Sequence, residues 1–129
     1  MNFKTYYLKE SNKPTCKTYS NGTKKWWLNG KLHREDGPAI EYTNGYKSWY
    51  LNGKRHREDG PAVEWPNGYK AWFLNSELHR EDGPAIERAN GTKEWWLNNV
   101  KYSKLDHKRE LIRRGILKNP SLEDVMDAI

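Results

Sequence analysis

The dipeptide Asn-Gly recurs along the chain at a fixed spacing of 23 residues, and this period constrains the fold more than any other feature. The four copies are Asn21-Gly22, Asn44-Gly45, Asn67-Gly68 and Asn90-Gly91. Three full units therefore span 21–43, 44–66 and 67–89, and a fourth keeps the pattern from residue 90 to residue 98. Such a period is typical of repeat architectures, in which each unit is stable only when it packs against its neighbours.

Several positions keep one residue type from unit to unit. Trp stands at positions 26, 49, 72 and 95, a second aromatic residue follows it directly, and Leu-Asn comes next. The string His-Arg-Glu-Asp-Gly-Pro-Ala occurs at 33–39, 56–62 and 79–85, and we call it the HREDGPA loop. The fourth unit loses this string, because Tyr102 stands where His is due. We interpret residues 1–20 as a degenerate N-terminal repeat or cap.

Each unit predicts a β-hairpin around its Asn-Gly pair. A two-residue Asn-Gly loop favours a type I′ turn, because both central residues of that turn need positive φ. This turn would set Ile40 opposite Trp49, so that alternation along the strand places Ile40, Trp49 and Leu51 together on the core face. Glu41, Ser48 and Tyr50 would then lie on the opposite face. A further turn is expected at each Leu-Asn-Gly.

The predicted fold class is an all-β repeat array, an antiparallel hairpin meander over 21–98, with a short α-helical C-terminal cap over 99–129. Ser103 and Gly115 have the residue types of a helix N-cap and of the position after a helix end, so a helix is expected between them. A second short helix is expected after Ser121, and it would help to cover the open edge of the last hairpin. The alternative is that its apolar stripe docks a partner or a second copy through Leu122, Val125, Met126 and Ile129.

Composition excludes several classes of protein. The 7 Trp and 8 Tyr are too many for a disordered tail, although only 35% of the residues are hydrophobic. No apolar run is long enough to span a membrane, and the start of the chain lacks the apolar core of a signal peptide, so a cytoplasmic location is expected. Cys16 is the single cysteine, which rules out an internal disulfide and a multi-cysteine zinc site.

The HREDGPA loops carry the first candidate constellation. Stacked units would align their side chains in a row, and Arg offers a planar fork of N–H donors that suits phosphate or carboxylate groups. The alternative is that Asp-Gly-Pro forms a turn and that Arg and Glu of neighbouring units pair. The candidate ligand-binding residues of this row are His33, Arg34, His56, Arg57, His79 and Arg80. Because active sites are seldom repeated in every unit, we expect no enzyme, and we expect no metal and no cofactor.

The second aromatic residue of each unit forms the other candidate row, which consists of Trp27, Tyr50, Phe73 and Trp96. An exposed row of this kind would stack nucleotide bases or anchor a protein partner. The alternative is that the row is buried under another layer. The net charge is +1 over 21–89 but +5 over 101–118, so nucleic acid is a further candidate partner, through Lys101–Lys118.

The string Asn-Gly-x-Lys-x-Trp-aromatic-x-Asn-Gly-Lys-x-His resembles MORN-type repeats, including the variant of bacterial antitoxin-like proteins. Its HREDGPA form is similar to repeat arrays in proteins of tailed phages and giant viruses. The resemblance covers 21–98 and implies a hairpin scaffold that binds lipids or proteins. The chain departs from MORN-type repeats because His-Arg-Glu-Asp-Gly replaces their His-Gly-x-Gly.

Residues and resemblance together predict a non-catalytic repeat protein that sequesters an anionic ligand, such as a signalling nucleotide, or that blocks a host protein. The phage-like form of the repeat implies a counter-defence or host-takeover factor acting in the cytoplasm of the host cell. Two alternatives stay open, an antitoxin-like or structural interaction module and nucleic-acid binding through the basic ends. Assembly into a homo-oligomer is open as well.

Overall fold

A computed structural model describes residues 12–118, 120, 121, 123, 126 and 127. These ranges hold short β-strands and the helix α1, Lys104–Arg113. The strands are β1 Thr15–Thr18, β2 Lys24–Leu28, β3 Lys31–Leu32, β4 Ile40–Glu41, β5 Lys47–Ser48, β6 Tyr50–Leu51, β7 Lys54–Arg55, β8 Val63–Glu64, β9 Lys70–Ala71, β10 Phe73–Leu74, β11 Glu77–Leu78, β12 Ile86–Glu87, β13 Lys93–Leu97 and β14 Val100–Tyr102. The predicted fold class is therefore confirmed: the protein is an all-β antiparallel array with a short C-terminal helix.

The strands form one long meander with lateral hairpins. In the meander the order is β1-β2-β4-β5-β8-β9-β12-β13-β14, and β3 pairs with β2 at the side. The pairs β6–β7 and β10–β11 form hairpins of their own. Trp49 joins the two parts of its unit, because its N–H donates to the carbonyl of Ala62 over 2.8 Å and its carbonyl accepts from His56 N–H over 3.0 Å.

Two different turns use the Asn-Gly dipeptide. At Asn44-Gly45 the prediction of a two-residue type I′ loop is wrong. The N–H of Gly45 bonds to the carbonyl of Tyr42 over 3.1 Å, and Tyr42 pairs with Tyr46, so the loop holds three residues. Gly45 alone has the left-handed φ of +98°, and the Asn44 side chain accepts the Tyr46 N–H over 2.9 Å. This is a type I turn followed by a glycine bulge.

The type I′ turn occurs instead at the second Asn-Gly of the unit. Asn52 and Gly53 have φ values of +51° and +78°, and Leu51 pairs with Lys54 across them. The further turn predicted at Leu-Asn-Gly is therefore confirmed. Positive φ at both central residues also occurs at Asn75 with Ser76 and at Asn98 with Asn99.

The extra loop residue shifts the strand register by one, and a shift of one residue moves side chains to the other face. Ile40 lies opposite Ser48, and Glu41 lies opposite Lys47. The predicted pairing of Ile40 with Trp49 is therefore wrong. We name the side that carries Ile40, Ser48 and the second aromatic row the aromatic face. The side that carries Glu41, Trp49 and the HREDGPA loops is the loop face.

The core lies on the aromatic face and alternates large with small side chains. Along one cross-strand row, Ile40 is followed by Ser48, Val63, Ala71 and Ile86. Ser48 is fully buried, and its hydroxyl has no hydrogen-bond partner among the described residues. Small side chains between β-branched ones let neighbouring strands interdigitate without voids.

The C-terminal helix replaces the missing fourth HREDGPA loop. The Ser103 side chain accepts the Asp106 N–H over 3.0 Å and so caps α1 as predicted. Gly115 follows the helix with a φ of +73°. Leu111 of α1 and Leu97 of β13 are both buried, so the helix covers the last hairpin. Most of the second predicted helix lies outside the described residues, although Asp127 N–H bonds to the carbonyl of Glu123 over 2.9 Å.

Candidate functional site

The loop face is built around a stacked arginine in each unit. The guanidinium carbon of Arg57 lies 4.0 Å from the centre of the Trp49 ring, within the range of a cation–π contact. Its Nε donates to Asp59 over 3.0 Å, and one terminal nitrogen donates to the carbonyl of Pro61 over 3.0 Å. This hydrogen bond lowers the pKa of Asp59 below its usual value. Arg34 on Trp26 and Arg80 on Trp72 repeat the arrangement at 3.8 and 3.9 Å.

The histidine of each HREDGPA loop holds the next unit in place. Nδ1 of His56 accepts the backbone N–H of Asn75, in the type I′ turn of the following unit, over 3.0 Å. Nε2 lies 3.5 Å from a carboxylate oxygen of Glu58. Since Nδ1 is an acceptor, Nε2 carries the proton of the neutral ring. His33 and His79 make the same bonds to Asn52 and Asn98, at 2.9 and 3.0 Å.

The glycine of the loop leaves room for the arginine. A Cβ at Gly60 would stand 2.7 Å from the guanidinium carbon of Arg57, although the φ of Gly60 is not left-handed. The equivalent distances at Gly37 and Gly83 are both 2.8 Å. Ala62, at the end of the loop, is fully buried. The His, Arg, Glu, Asp, Gly and Ala residues of the HREDGPA loop thus each have a structural partner or a packing requirement.

The outermost charges of the loop face are negative. Asp59 is 88% exposed while Arg57 is only 22% exposed, and the other two loops follow the same pattern. Between neighbouring loops lie two open grooves of about 630 and 650 Å³. Trp49 with Leu51 lines the first groove, and Trp72 with Leu74 lines the second. An anionic ligand would meet carboxylates before it reached an arginine, which disfavours the predicted His/Arg row as a phosphate site.

The second aromatic row is not the free stripe that the sequence suggested. Leu32, Arg55 and Leu78 alternate with its rings, because each hairpin strand pairs with the aromatic residue of its own unit. Tyr50, Phe73 and Trp96 are half-buried and pack against the core, and Trp27 is half-buried too. The expectation that this row lies opposite the core is therefore wrong, since the one-residue register shift brings it to the core side.

A different set of rings lies on the aromatic face beside the Asn-Gly loops, with the exposed Tyr42 and Trp65 on either side of the buried Tyr46. Tyr42 and Tyr46 stack with their centres 5.0 Å apart, and Tyr46 meets Trp65 at 4.4 Å. Tyr69 continues this row, because its carbonyl accepts the N–H of Trp65 over 2.9 Å. Tyr42 is 39% exposed and Trp65 is 42% exposed. The sequence analysis missed this row, although aromatic residues immediately flank the Asn-Gly pairs in Tyr-Thr-Asn-Gly-Tyr and Trp-Pro-Asn-Gly-Tyr.

A concavity of about 530 Å³ opens next to this row at the boundary of the second and third units. Tyr46, Trp65, Tyr69 and Phe73 surround it, and the buried Val63 and Ala71 lie at its base. Arg55 and Asn67 add polar groups to the lining.

Arg55 places a fixed positive charge at this concavity. Its Nε donates to the Tyr50 hydroxyl over 3.2 Å, and its guanidinium carbon lies 5.5 Å from the centre of the Phe73 ring. Burial lowers the pKa of Arg55, but hydrogen bonding and charge interactions with Tyr50 and Tyr46 together outweigh it, and the pKa is raised. The geometry combines flat rings with one cation, which suits a ligand that has an aromatic ring and a negative group.

The arginines of the basic stretch 101–118 are paired with its carboxylates, although the stretch keeps a net charge of +5. Glu110 accepts hydrogen bonds from Arg113 and Arg114, which lower its pKa to about 2. Arg109 pairs with Asp106 at 3.4 Å, and Lys101 lies 3.7 Å from Glu94.

The predicted partner-docking residues are described only in part. Met126 is 61% exposed, whereas Leu122, Val125 and Ile129 lie outside the described residues. Ile112 and Ile116 add exposed apolar side chains at the end of α1. In the described part of the chain, no helix is long and apolar enough to cross a membrane. Nor do His, Cys, Asp and Glu side chains converge there in a group of three that could hold a metal.

Comparison with known proteins gives no functional assignment, so the inference of function rests on the fold and the site. No family model matches the chain, and no curated protein and no solved structure matches it.

Proposed function

We propose that the protein is a non-catalytic binding protein whose ligand surface is the aromatic face. The observation that carries the proposal is the row Tyr42, Tyr46, Trp65 and Tyr69, because the exposed rings of Tyr42 and Trp65 both contact the buried ring of Tyr46 and lie near the cation of Arg55. Exposed aromatic clusters on a rigid sheet are typical of binding surfaces.

The repeat does not fix the residue types of this row. Thr23 and Thr92 stand where Tyr46 and Tyr69 stand in their units, and Arg88 stands in the position of Trp65. The scaffold therefore accepts small or charged side chains at these positions, although Tyr46 itself packs in the core. The rings that remain exposed to water, those of Tyr42 and Trp65, favour a role in recognition.

The ligand class that suits these groups is an anionic molecule with a flat ring, such as a signalling nucleotide. The proposed mode of action is sequestration, in which the array binds its ligand and so withholds it from other proteins. The resemblance to phage repeat arrays favours a counter-defence or host-takeover role for such sequestration.

The test is a thermal-shift panel of linear and cyclic nucleotides against the wild-type chain and two variants. Trp65→Arg introduces the residue that the third unit carries at this position, so the fold should be retained and the ligand-induced shift lost. Ile116→Ala removes an apolar side chain of similar exposure, 45% against 42%, beyond the C-terminal helix and outside the concavity, and should keep the full shift. A nucleotide-induced shift that survives in Trp65→Arg would place the ligand elsewhere.

A protein partner is the second candidate, favoured by the exposed Ile112, Ile116 and Met126 around the C-terminal helix. An antitoxin-like or structural interaction module would use this apolar surface. Capture from host lysate with wild type, with Trp65→Arg and with Ile112→Ser/Ile116→Ser distinguishes the two surfaces. A protein lost only with the double serine variant supports this candidate, and one lost only with Trp65→Arg assigns a protein ligand to the aromatic face.

Nucleic acid ranks last, because Asp106 and Glu110 already pair with most of the arginines of α1. Binding through Lys101–Lys118 would weaken steeply with added salt, in proportion to the phosphates contacted. A salt-independent affinity would dismiss it.

A further inference from the structure

The concavity between the second and third units has the dimensions and lining of a site for a single ring. The rings of Tyr46 and Trp65 stand on one side of it, and those of Tyr69 and Phe73 belong to the next unit. The base is apolar and buried, so a ring that enters the concavity removes apolar surface from water on more than one side.

A cation stands in this concavity because the second unit differs from its neighbours at one position. The column holds Leu32, Arg55, Leu78 and Lys101 in successive units. Leu32 and Leu78 pack against the core, whereas Arg55 is exposed and reaches over Phe73. The packing of the repeat is therefore satisfied by leucine, and the guanidinium is an addition that the scaffold does not need.

One unit later, the position that corresponds to the concavity is occupied by an ion pair of the protein's own side chains. Arg88, which replaces Trp65, forms an ion pair with Glu94, and Glu94 accepts the indole N–H of Trp96 over 3.0 Å. This pairing lowers the pKa of Glu94, so a negative charge stays at this position. Leu78 supplies no cation there, and the charge of Arg88 is already paired with Glu94.

The position one unit earlier is also unsuited to the same ligand. Thr23 stands at the position equivalent to Tyr46, and Leu32 stands at the position equivalent to Arg55. The Tyr19 ring nearby is already covered by two ammonium groups, those of Lys17 at 4.9 Å and Lys25 at 5.4 Å from its centre. Stacking on that face of Tyr19 would displace both lysines.

We infer that the array has one ligand site per chain, at the boundary of the second and third units, and that it takes a mononucleotide-like ligand, with the base among Tyr46, Trp65 and Phe73 and the phosphate at Arg55. The inference rests on the proposed function and gives it a location, a stoichiometry and a ligand class. A bidentate guanidinium–phosphate contact would distinguish nucleotide from nucleoside. A single cation without a basic track favours a mononucleotide over a strand of nucleic acid.

The experiment is isothermal titration of the full chain with adenosine, AMP, cyclic AMP, GMP, UMP and a short single-stranded oligonucleotide. Arg55→Leu is the key variant, because leucine stands at the equivalent positions 32 and 78 and the fold should be retained. Lys54→Leu is its control, since it removes the same charge from the same hairpin but does not line the concavity. Circular dichroism checks that each variant is folded.

We expect one mononucleotide per chain, bound more tightly than adenosine. Arg55→Leu should weaken mononucleotide binding by about tenfold or more, since charge-assisted hydrogen bonds contribute more than neutral ones. It should leave the affinity for adenosine unchanged, and Lys54→Leu should behave like wild type. Two or three nucleotides per chain would overturn the single site while leaving the proposed function intact.

Equal losses for adenosine and mononucleotides in Arg55→Leu would overturn the phosphate assignment. Tighter binding of the oligonucleotide, with a steep salt dependence, would overturn the mononucleotide class. No heat from any of these ligands would overturn this inference, and the proposed function would then depend on the capture of a protein by the aromatic face.

Discussion

The loop face and the aromatic face follow the same 23-residue period, yet they differ in how far their side chains vary from unit to unit. On the loop face the HREDGPA string is identical in three units, and its Arg, His, Asp and Gly each have a partner or a packing requirement within the chain. On the aromatic face the exposed positions change between Tyr, Trp, Thr and Arg.

The difference teaches how repetition and function are related in this array. A side chain that recurs in every unit is needed to hold that unit to the next, because the same contact must be made each time. A side chain that the scaffold can exchange, and that nonetheless forms an exposed aromatic row, is available for recognition. The predictions below test the two halves of this comparison.

The largest effect is expected on the loop face from Gly60→Ala. The new Cβ would stand 2.7 Å from the guanidinium carbon of Arg57, so the arginine must leave the Trp49 ring. The loss of this stack and of the hydrogen bonds from Arg57 to Asp59 and Pro61 lowers the free energy of unfolding by about 1–3 kcal/mol in total, which urea denaturation would measure. The same substitution made in an Arg57→Ala background should cost much less. Equal costs in both backgrounds would show that Gly60 serves something other than the arginine.

The second largest effect on stability is expected at His107, where α1 packs against the third HREDGPA loop. His107 is buried, and its Nε2 lies 2.8 Å from the carbonyl of Arg80. Burial lowers the pKa of His107 below the ordinary 6.5, and the neighbouring charges of Lys108 and Arg114 lower it further. The unfolded chain therefore takes up the proton first, and the folded state loses stability as the pH falls through about 6.5.

The matched variant for this prediction is His107→Gln, which keeps a side-chain N–H donor but does not titrate in this range. Removal of the hydrogen bond altogether, in His107→Ala, should lower the free energy of unfolding by about 1–3 kcal/mol. The wild type should lose more stability between pH 7 and pH 5 than the glutamine variant, because the other histidines are common to both. Parallel stability curves would contradict the assignment of a neutral buried imidazole.

The smallest effect is expected on the aromatic face and has the opposite sign. The hydroxyl of Ser48 is buried without a hydrogen-bond partner among the described residues, and Ala71 occupies the same position one unit later. Ser48→Ala should therefore raise the free energy of unfolding by up to about 1 kcal/mol. Ser48→Val is the control for volume, since Ile40 and Val63 flank the site and leave no room. A loss of stability in Ser48→Ala would mean that the hydroxyl has a partner such as water.

Much of the fold could be predicted from the sequence, because the relevant signals are local. The hairpins follow from strand-like runs between Asn-Gly pairs, and α1 follows from Ser103 before it and Gly115 after it. The HREDGPA string itself indicates a turn, through Asp-Gly-Pro, and ion pairing, through its side chains of opposite charge. The stacking of Arg57 on Trp49 could not be predicted, since the β6–β7 hairpin lies between these residues in the chain and has to fold back before they meet.

The face of the second aromatic row is the part that sequence reasoning placed wrongly. Trp27, Tyr50, Phe73 and Trp96 are expected opposite Ile40 when a two-residue loop at Asn44-Gly45 sets the register, and the structure places them on the side of Ile40. The row at Tyr42, Tyr46, Trp65 and Tyr69 was overlooked because it flanks the loops and varies between units.

The sequence by itself determined the period, the antiparallel hairpins, the positions of both turns and the helical end of the chain. Only the tertiary structure decided which face of each strand is the core. Asn-Gly is compatible with a two-residue turn and with a three-residue turn that ends in a glycine bulge, so the dipeptide alone leaves the register open by one residue. Packing settles it, because Ile40 fits opposite the small Ser48, and this choice sends Trp49 to the arginines of the loop face.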